Sequence, residues 1–137
     1  MPAYLLDSNA VSEMMRNPLG PVARAYRSKE LDPDARLFTS IISASELRYG
    51  AAKKGSPLLS QRVDRMLLSL EIAPLGPGAD AEYATLRADL ERKGHLIGPN
   101  DLLIAAHALA LDAILVTDNV REFKRVKGLK IENWLRL

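Results

Sequence analysis

Apolar residues along the chain recur with two periods. Short runs dominated by apolar or β-branched residues, AYLL (3–6), LFTSI (37–41), EIAPL (71–75) and AILVT (113–117), have the length and composition of strands. The segments between them carry apolar residues at helical spacing. One helix is expected from Ser8 or Asn9 to about Asn17-Pro18, and a second, short one from Gly20 through GPVARAYRSK, before an LDPD turn at 31–34. Ser43-x-x-Glu46 matches a capping box and predicts a helix from Ser43 to about Lys54, with Gly55 as its stop. Leu59, Val63, Leu67 and Leu70 mark a helix over 57–70, and ADAEYATLRADLERKG another over 79–94. The stretch 99–112 is nearly all apolar after Asp101, which predicts a helix buried on most sides. DNVREFKRV supplies a helical turn and LKIENWL (129–135) a last short strand or tail.

Strands that alternate with helices predict an α/β fold with a mainly parallel central sheet. AILVT has no polar face, as a strand covered on both sides requires. At 137 residues, with no repeat or linker, the chain is expected to form one domain over 1–137. Hydrophobic residues make up 47% and aromatics only 5%, so aliphatic side chains must fill the core. There is no cysteine, which excludes a disulfide scaffold, a cysteine nucleophile and a thiolate zinc site. That composition fits a reducing cytoplasm. Asp7 interrupts the first apolar run too early for a secretory signal, and the apolar helix near residue 104 is too short to span a bilayer. A cytoplasmic, soluble protein is expected. A net charge of +2 is compatible with a nucleic-acid partner without demanding one.

In parallel α/β folds, ligands bind beyond the carboxyl ends of the strands. Acids collect at those positions. Asp7 ends the first strand, Glu46 lies early in the helix after the second, Asp101 opens the buried helix, Asp118 follows AILVT, and Glu122 lies one turn further. Each has a purely structural reading: a helix cap for Asp7, a capping-box partner for Glu46, a helix-dipole anion for Asp101, a turn for Asp118, plain surface for Glu122. Taken together, they would repel one another, and a divalent cation resolves the conflict. Carboxylates without histidine or cysteine partners suit magnesium, or manganese, rather than zinc. Such an ion activates water in phosphoryl transfer. Other chemistries lack their parts. No GxxxxGK[ST] or GxGxxG follows a strand, and there is no GxSxG. His107 lies within the apolar helix and is expected in the core or at an interface, while His95 falls in a loop.

YLLDSN, SASELRYGA, GPNDLLIAAHAL and LVTDNVREF, in this order, resemble the PIN-domain ribonucleases, and within them the VapC toxins of bacterial toxin–antitoxin pairs. The likeness runs over nearly the whole chain to GLKIENWL. It implies a three-layer α/β/α PIN-like domain and a Mg2+- or Mn2+-dependent endoribonuclease. The family's first three acids fall on Asp7, Glu46 and Asp101, which would be both catalytic and metal-holding. Many PIN domains carry the fourth acid where this chain has Asn119; Asp118 and Glu122 flank that slot, and the VTxNxREF form favours Glu122. Ser8 replaces the family's usual threonine and keeps its hydroxyl. Ser8, Asn100 and Asn119 would be hydrogen-bonding supports of the acids. The resemblance further implies a homodimer and a small, DNA-binding VapB-like antitoxin whose carboxy-terminal segment lies along the acidic groove, with larger assemblies around it.

Lys53, Lys54, Arg121 and Lys124, with Arg125 and Lys127, flank the acids in sequence and are candidates to hold RNA phosphates. Tyr4, Tyr49 and Trp134 are too scattered to suggest base stacking and are expected in the core. A housekeeping RNA-processing nuclease would share this chemistry. A non-catalytic module holding a basic peptide on its acids is the alternative from another class.

Overall fold

The structure, a computed structural model, describes residues 2–136. The elements run β1 (Ala3–Leu6), α1 (Ser8–Arg16), α2 (Pro21–Glu30), β2 (Arg36–Ser40), α3 (Ile41–Lys54), α4 (Pro57–Ser69), β3 (Glu71–Ala73), α5 (Ala79–Lys93), α6 (Pro99–Ala110), β4 (Ile114–Val116), α7 (Val120–Phe123) and β5 (Ile131–Glu132). The five strands form one sheet in the order β3-β2-β1-β4-β5, and every pairing is parallel. β1 is therefore central, with Leu5 opposite Phe38 on one side and Leu115 on the other. Helices cover both faces, giving the expected three-layer α/β/α architecture.

Strand periodicity divides the core. Leu5 and Leu115 point to one face, where they pack with Leu86 and Leu90 of α5, Ile104 of α6 and Phe123 of α7. Tyr4, Leu6 and Val116 point to the other and meet Val11 of α1, Val22 of α2 and Trp134. A smaller cluster of Ala44, Ala51, Val63 and Leu67 holds α3 against α4. Leu5 is fully buried at 0% exposure. Replacing it with alanine removes its transfer energy and leaves a cavity at the sheet centre, so Leu5→Ala is expected to cost about 2–5 kcal/mol. A lower urea midpoint at unchanged m-value measures this; an unchanged midpoint would contradict the packing.

Four boundaries differ from the pattern-based reading. β2 spans Arg36–Ser40 rather than 37–41, β3 stops at Ala73, β4 covers only Ile114–Val116, and β5 only Ile131–Glu132. Apolar composition marks where the chain is buried, whereas ladder pairing ends where the neighbouring strand leaves the sheet. The larger correction concerns α3. Its amino-terminal cap is Ser40, whose Oγ accepts from the Ile42 N–H at 3.0 Å, so the helix starts at Ile41 and not at Ser43. Gly55 does terminate it, in the left-handed conformation at φ 62° that glycine adopts without steric cost. His107 is in the core as expected. Its Nε2 pairs with the Pro74 carbonyl at 3.0 Å and its Nδ1 with Ser40 Oγ at 2.8 Å, an arrangement that fits a neutral ring, and burial depresses its pKa. Among the described residues, no helix is long and apolar enough to cross a membrane.

Candidate active site

Strand order fixes where a site can form. From β1 the chain moves outward to β2 and β3, then returns to place β4 and β5 on the opposite side of β1. The reversal leaves a crevice beyond the carboxyl ends of β1 and β4, the place where parallel α/β sheets bind ligands. Asp7 sits at that end of β1, and the Thr117–Asn119 segment at that end of β4.

Asp7 is 4% exposed, yet it is a carboxylate. Its Oδ1 accepts from the Ser8 N–H at 2.8 Å and from Ser43 Oγ at 3.4 Å. Its Oδ2 accepts from Thr117 Oγ1 at 2.9 Å and Asn9 Nδ2 at 3.3 Å. Burial still outweighs these donors and raises its pKa. The earlier start of α3 explains the neighbouring groups. Ser43 is not a cap but lies inside the helix, fully buried, with its hydroxyl on Asp7. Glu46 is thereby released from capping. Its Oε1 accepts from Ser8 Oγ at 3.2 Å and its Oε2 from Asn100 Nδ2 at 3.5 Å, and burial, then the charge of Asp7, raise its pKa.

Asp101 enters in the first turn of α6. Its pKa is pushed up to about 7, first by burial, then by its hydrogen bond with Glu122, then by the charges of Asp7, Glu122 and Glu46. Asn119 ties this pair together, donating from Nδ2 to Asp101 Oδ2 at 3.4 Å and to Glu122 Oε2 at 2.8 Å. The Asn119 donor holds Glu122 below its usual range, so Asp101 is the member of the pair that takes up a proton more readily. Asp118 faces elsewhere. Its Oδ1 accepts from Asn133 Nδ2 at 3.1 Å and Arg136 Nε at 3.0 Å, and these donors depress its pKa. Glu122, not Asp118, is therefore the acid beside Asp101.

Four carboxylates thus share one edge, each linked to a polar side chain, and the charges of Asp7, Glu46 and Glu122 all reach Asp101. Among the described residues, no three His, Asp or Glu side chains are gathered into a ready-made metal cage. Ser8, Asn100 and Asn119 stand between the acids as neutral donors. The donor set is all oxygen and its charges are concentrated. It fits a hard divalent ion that keeps much of its water and takes one or two carboxylates directly.

Beside the acids, Ser8, Met15, Leu47, Ala51, Lys54 and Val63 line a groove of about 460 Å3 between α1, α3 and α4, with Arg16 and Arg62 at its walls. Of the candidate RNA-binding cations, Lys54 lines this groove; Lys53, Arg121 and Lys124 are exposed outside its lining. Tyr4 and Trp134 pack together in the core with centroids 5.4 Å apart. Tyr49 departs from expectation: it is 65% exposed on the open face of α3, next to Ser45 and Asn100, and packs against no core cluster. Asn9, Ser43 and Thr117 are site residues that pattern reading missed. The only available signal was their adjacency to acids, in DSN, SASE and VTDN.

A PIN domain model matches residues 4–129. Ribonuclease VapC2 of Rickettsia felis is 40% identical over 134 residues, covering 96% of this chain and 97% of the relative. The tRNA(fMet)-specific endonuclease VapC of Salmonella typhimurium is 33% identical over 132 residues, covering 96% and 97%. The crystal structure of VapBC2 from Rickettsia felis bound to a promoter DNA fragment superposes with a TM-score of 0.87 at 36% identity, covering 96% of this chain and 98% of that one. DNA-bound VapBC from Salmonella typhimurium gives a TM-score of 0.85 at 31% identity, covering 98% and 99%. With its parallel sheet, its acids at the switch point and relatives matched end to end, the chain belongs to the PIN-domain family and, within it, to the VapC ribonucleases.

Proposed function

We propose that this protein is a Mg2+- or Mn2+-dependent endoribonuclease, the toxin half of a toxin–antitoxin pair. The observation that carries the reading is the gathering of four acids at one sheet edge, Asp7 and Glu46 joined through Ser8, and Asp101 and Glu122 through Asn119. Asp7 and Asp101 would hold the ion, with Glu46 completing its surroundings. A bound ion of this kind supplies Lewis acidity and a water of lowered pKa. Ser8 and Asn100 orient Glu46 and partly offset the burial that raises its pKa, and Asn119 orients Glu122 and favours its ionised form. Glu122, the less buried partner of a proton-sharing pair, is suited to accept the proton of a water attacking the phosphodiester. Asp101 then carries the proton that ion binding would displace.

The groove beside Glu46 combines an apolar floor, Met15, Leu47 and Val63, with the cations Arg16, Lys54 and Arg62. That lining suits both an RNA strand passing the acids and the carboxy-terminal segment of a small VapB-like antitoxin. The VapBC complexes among the structural relatives support such a partner. A homodimer, and larger assemblies with the antitoxin, belong to the same proposal, as does action on RNA in the cytoplasm. The name of the Salmonella relative makes initiator tRNA the first substrate to test.

Purified protein incubated with total RNA and Mg2+ is expected to give discrete cleavage products. Sequencing the new ends identifies the substrate. Prior mixing with the product of a small neighbouring reading frame is expected to suppress cleavage in proportion to complex formed. Intact RNA under all metal conditions would refute the nuclease reading. Cleavage indifferent to that product would refute the pairing.

A further inference from the structure

Asn9 lies two residues after Asp7, and its side chain is fully engaged. Its Nδ2 donates to Asp7 Oδ2 at 3.3 Å and to Thr117 Oγ1 at 3.2 Å, and its Oδ1 accepts from the Asp118 N–H at 3.0 Å. Thr117 is equally committed. Its hydroxyl donates to Asp7 Oδ2 at 2.9 Å and accepts from Asn9 Nδ2 and from the Asn119 N–H at 3.0 Å. Together they join the end of β1 to the end of β4 across the switch point.

We infer that Asn9, acting with Thr117, is a positioning residue that sets the distance and orientation between the two halves of the acid site. One half is Asp7. The other is the Asn119 side chain, which holds Asp101 and Glu122. Two facts support this over simple helix capping. The Ser8 N–H at the start of α1 is already taken by Asp7 Oδ1, so the helix does not need Asn9 as a cap. And every polar contact of the Asn9 side chain goes to Asp7 or to the loop that carries Asn119. The backbone ladder stops one step short of the loop: its last bond between these strands runs from the Asp7 N–H to the Val116 carbonyl at 2.9 Å, and β4 ends there. Without Asn9, residues 117–119 are tied to β1 through Thr117 Oγ1 alone among the side-chain bonds. The inference rests on the metal-nuclease reading for its consequence, but not for its geometry.

The test compares Asn9→Ala, Thr117→Val, the double variant and Thr117→Ser, each checked for native circular dichroism. Mn2+ affinity is read by electron paramagnetic resonance, cleavage by kcat and KM, and the Asp118 amide by hydrogen exchange. Loss of a group that orients metal ligands costs about 10–100-fold in affinity. Asn9→Ala and Thr117→Val are each expected to weaken Mn2+ binding about tenfold and to lower kcat while leaving KM within about twofold. The double variant should be little worse than either single change, because the two act as one device. Thr117→Ser keeps the hydroxyl and should behave as the natural chain. Asn9→Ala should also speed exchange of the Asp118 amide. Faster exchange with unchanged Mn2+ affinity and kcat would overturn the inference, as would full additivity in the double variant. If Asn9→Ala fails to fold, Thr117→Val against Thr117→Ser decides in the same way. A natural chain that binds Mn2+ but cuts no RNA would sink the nuclease reading alone, with the affinity arm still deciding the role of Asn9. A natural chain that takes up no Mn2+ would overturn both.

Discussion

Asp7→Asn is expected to lower kcat for RNA cleavage by at least a hundredfold while leaving the fold intact. The side chains are isosteric, so packing around the first turn of α1 is preserved. The amide oxygen can still accept from the Ser8 N–H and Ser43 Oγ, while the amide nitrogen meets two donors, Thr117 Oγ1 and Asn9 Nδ2, and those two bonds are lost. What also disappears is the charge. A buried carboxylate whose pKa is raised by desolvation destabilises the folded state, so loss of the charge offsets the two lost bonds and thermal stability should hold. Activity should fall because the negative site for a divalent ion is gone, and preorganised electrostatic groups of this kind are worth about 10²–10³ in rate. Lost activity at retained stability is the signature: a structural aspartate would lose both. The measurement is single-turnover cleavage alongside a thermal melt, and natural-type kcat in the folded variant would remove Asp7 from the chemistry. Asp101→Asn is expected to behave similarly, with Glu122 then losing the partner with which it shares a proton.

Much of this was legible before the structure. The strand-helix alternation gave the class, and the buried, featureless AILVT pointed to a sheet covered on both faces, where Leu115 is fully buried and Ile114 only partly. Positions of the acids relative to strand ends were readable too, because a parallel sheet puts all strand exits on one edge. Two things were not. Ser43-x-x-Glu46 satisfied a local capping rule, yet Ser40 took the cap because His107, 67 residues away, fixes its hydroxyl. A local motif cannot report a competing tertiary bond. The choice between Asp118 and Glu122 was open for the same reason. It is made by Asn133 and Arg136 drawing Asp118 toward the carboxyl-terminal tail, partners 15 and 18 residues distant. Asn9 and Thr117 escaped notice because neither is acidic, and their roles exist only once residues about 110 positions apart are brought together.

Stripping divalent metal is expected to abolish cleavage, and restoring it to raise thermal stability most at alkaline pH. In the ion-free protein Asp101 has a pKa of about 7 against 3.8 for an unperturbed aspartate. The folded state therefore binds more protons than the unfolded state between these values. Stability is fully present below the lower one and is lost as pH rises through the upper one. Asp7 and Glu46 are shifted the same way and add to the trend. Glu122 and Asp118 are shifted down, so both are ionised in either state above pH 6 and contribute no slope there. His107, held neutral, opposes the trend only below its ordinary value of 6.5. Between pH 6 and 8 the loss from Asp101 alone, discounted for its partial solvent access, is about 0.5–1 kcal/mol, and His107 offsets part of it near pH 6. Divalent ions compete with the proton for these oxygens, so their stabilisation must grow as the proton leaves. At a hundredfold excess over Kd, binding adds about 2.7 kcal/mol, roughly 8–12 °C for a domain of this size. Melts at pH 6 and 8, with chelator, Mg2+ or Mn2+, run beside RNA cleavage in the same buffers, test both halves. Cleavage that survives thorough chelation, or a melting temperature that ignores Mn2+ at pH 8, would mean that the clustered acids do not serve to hold an ion.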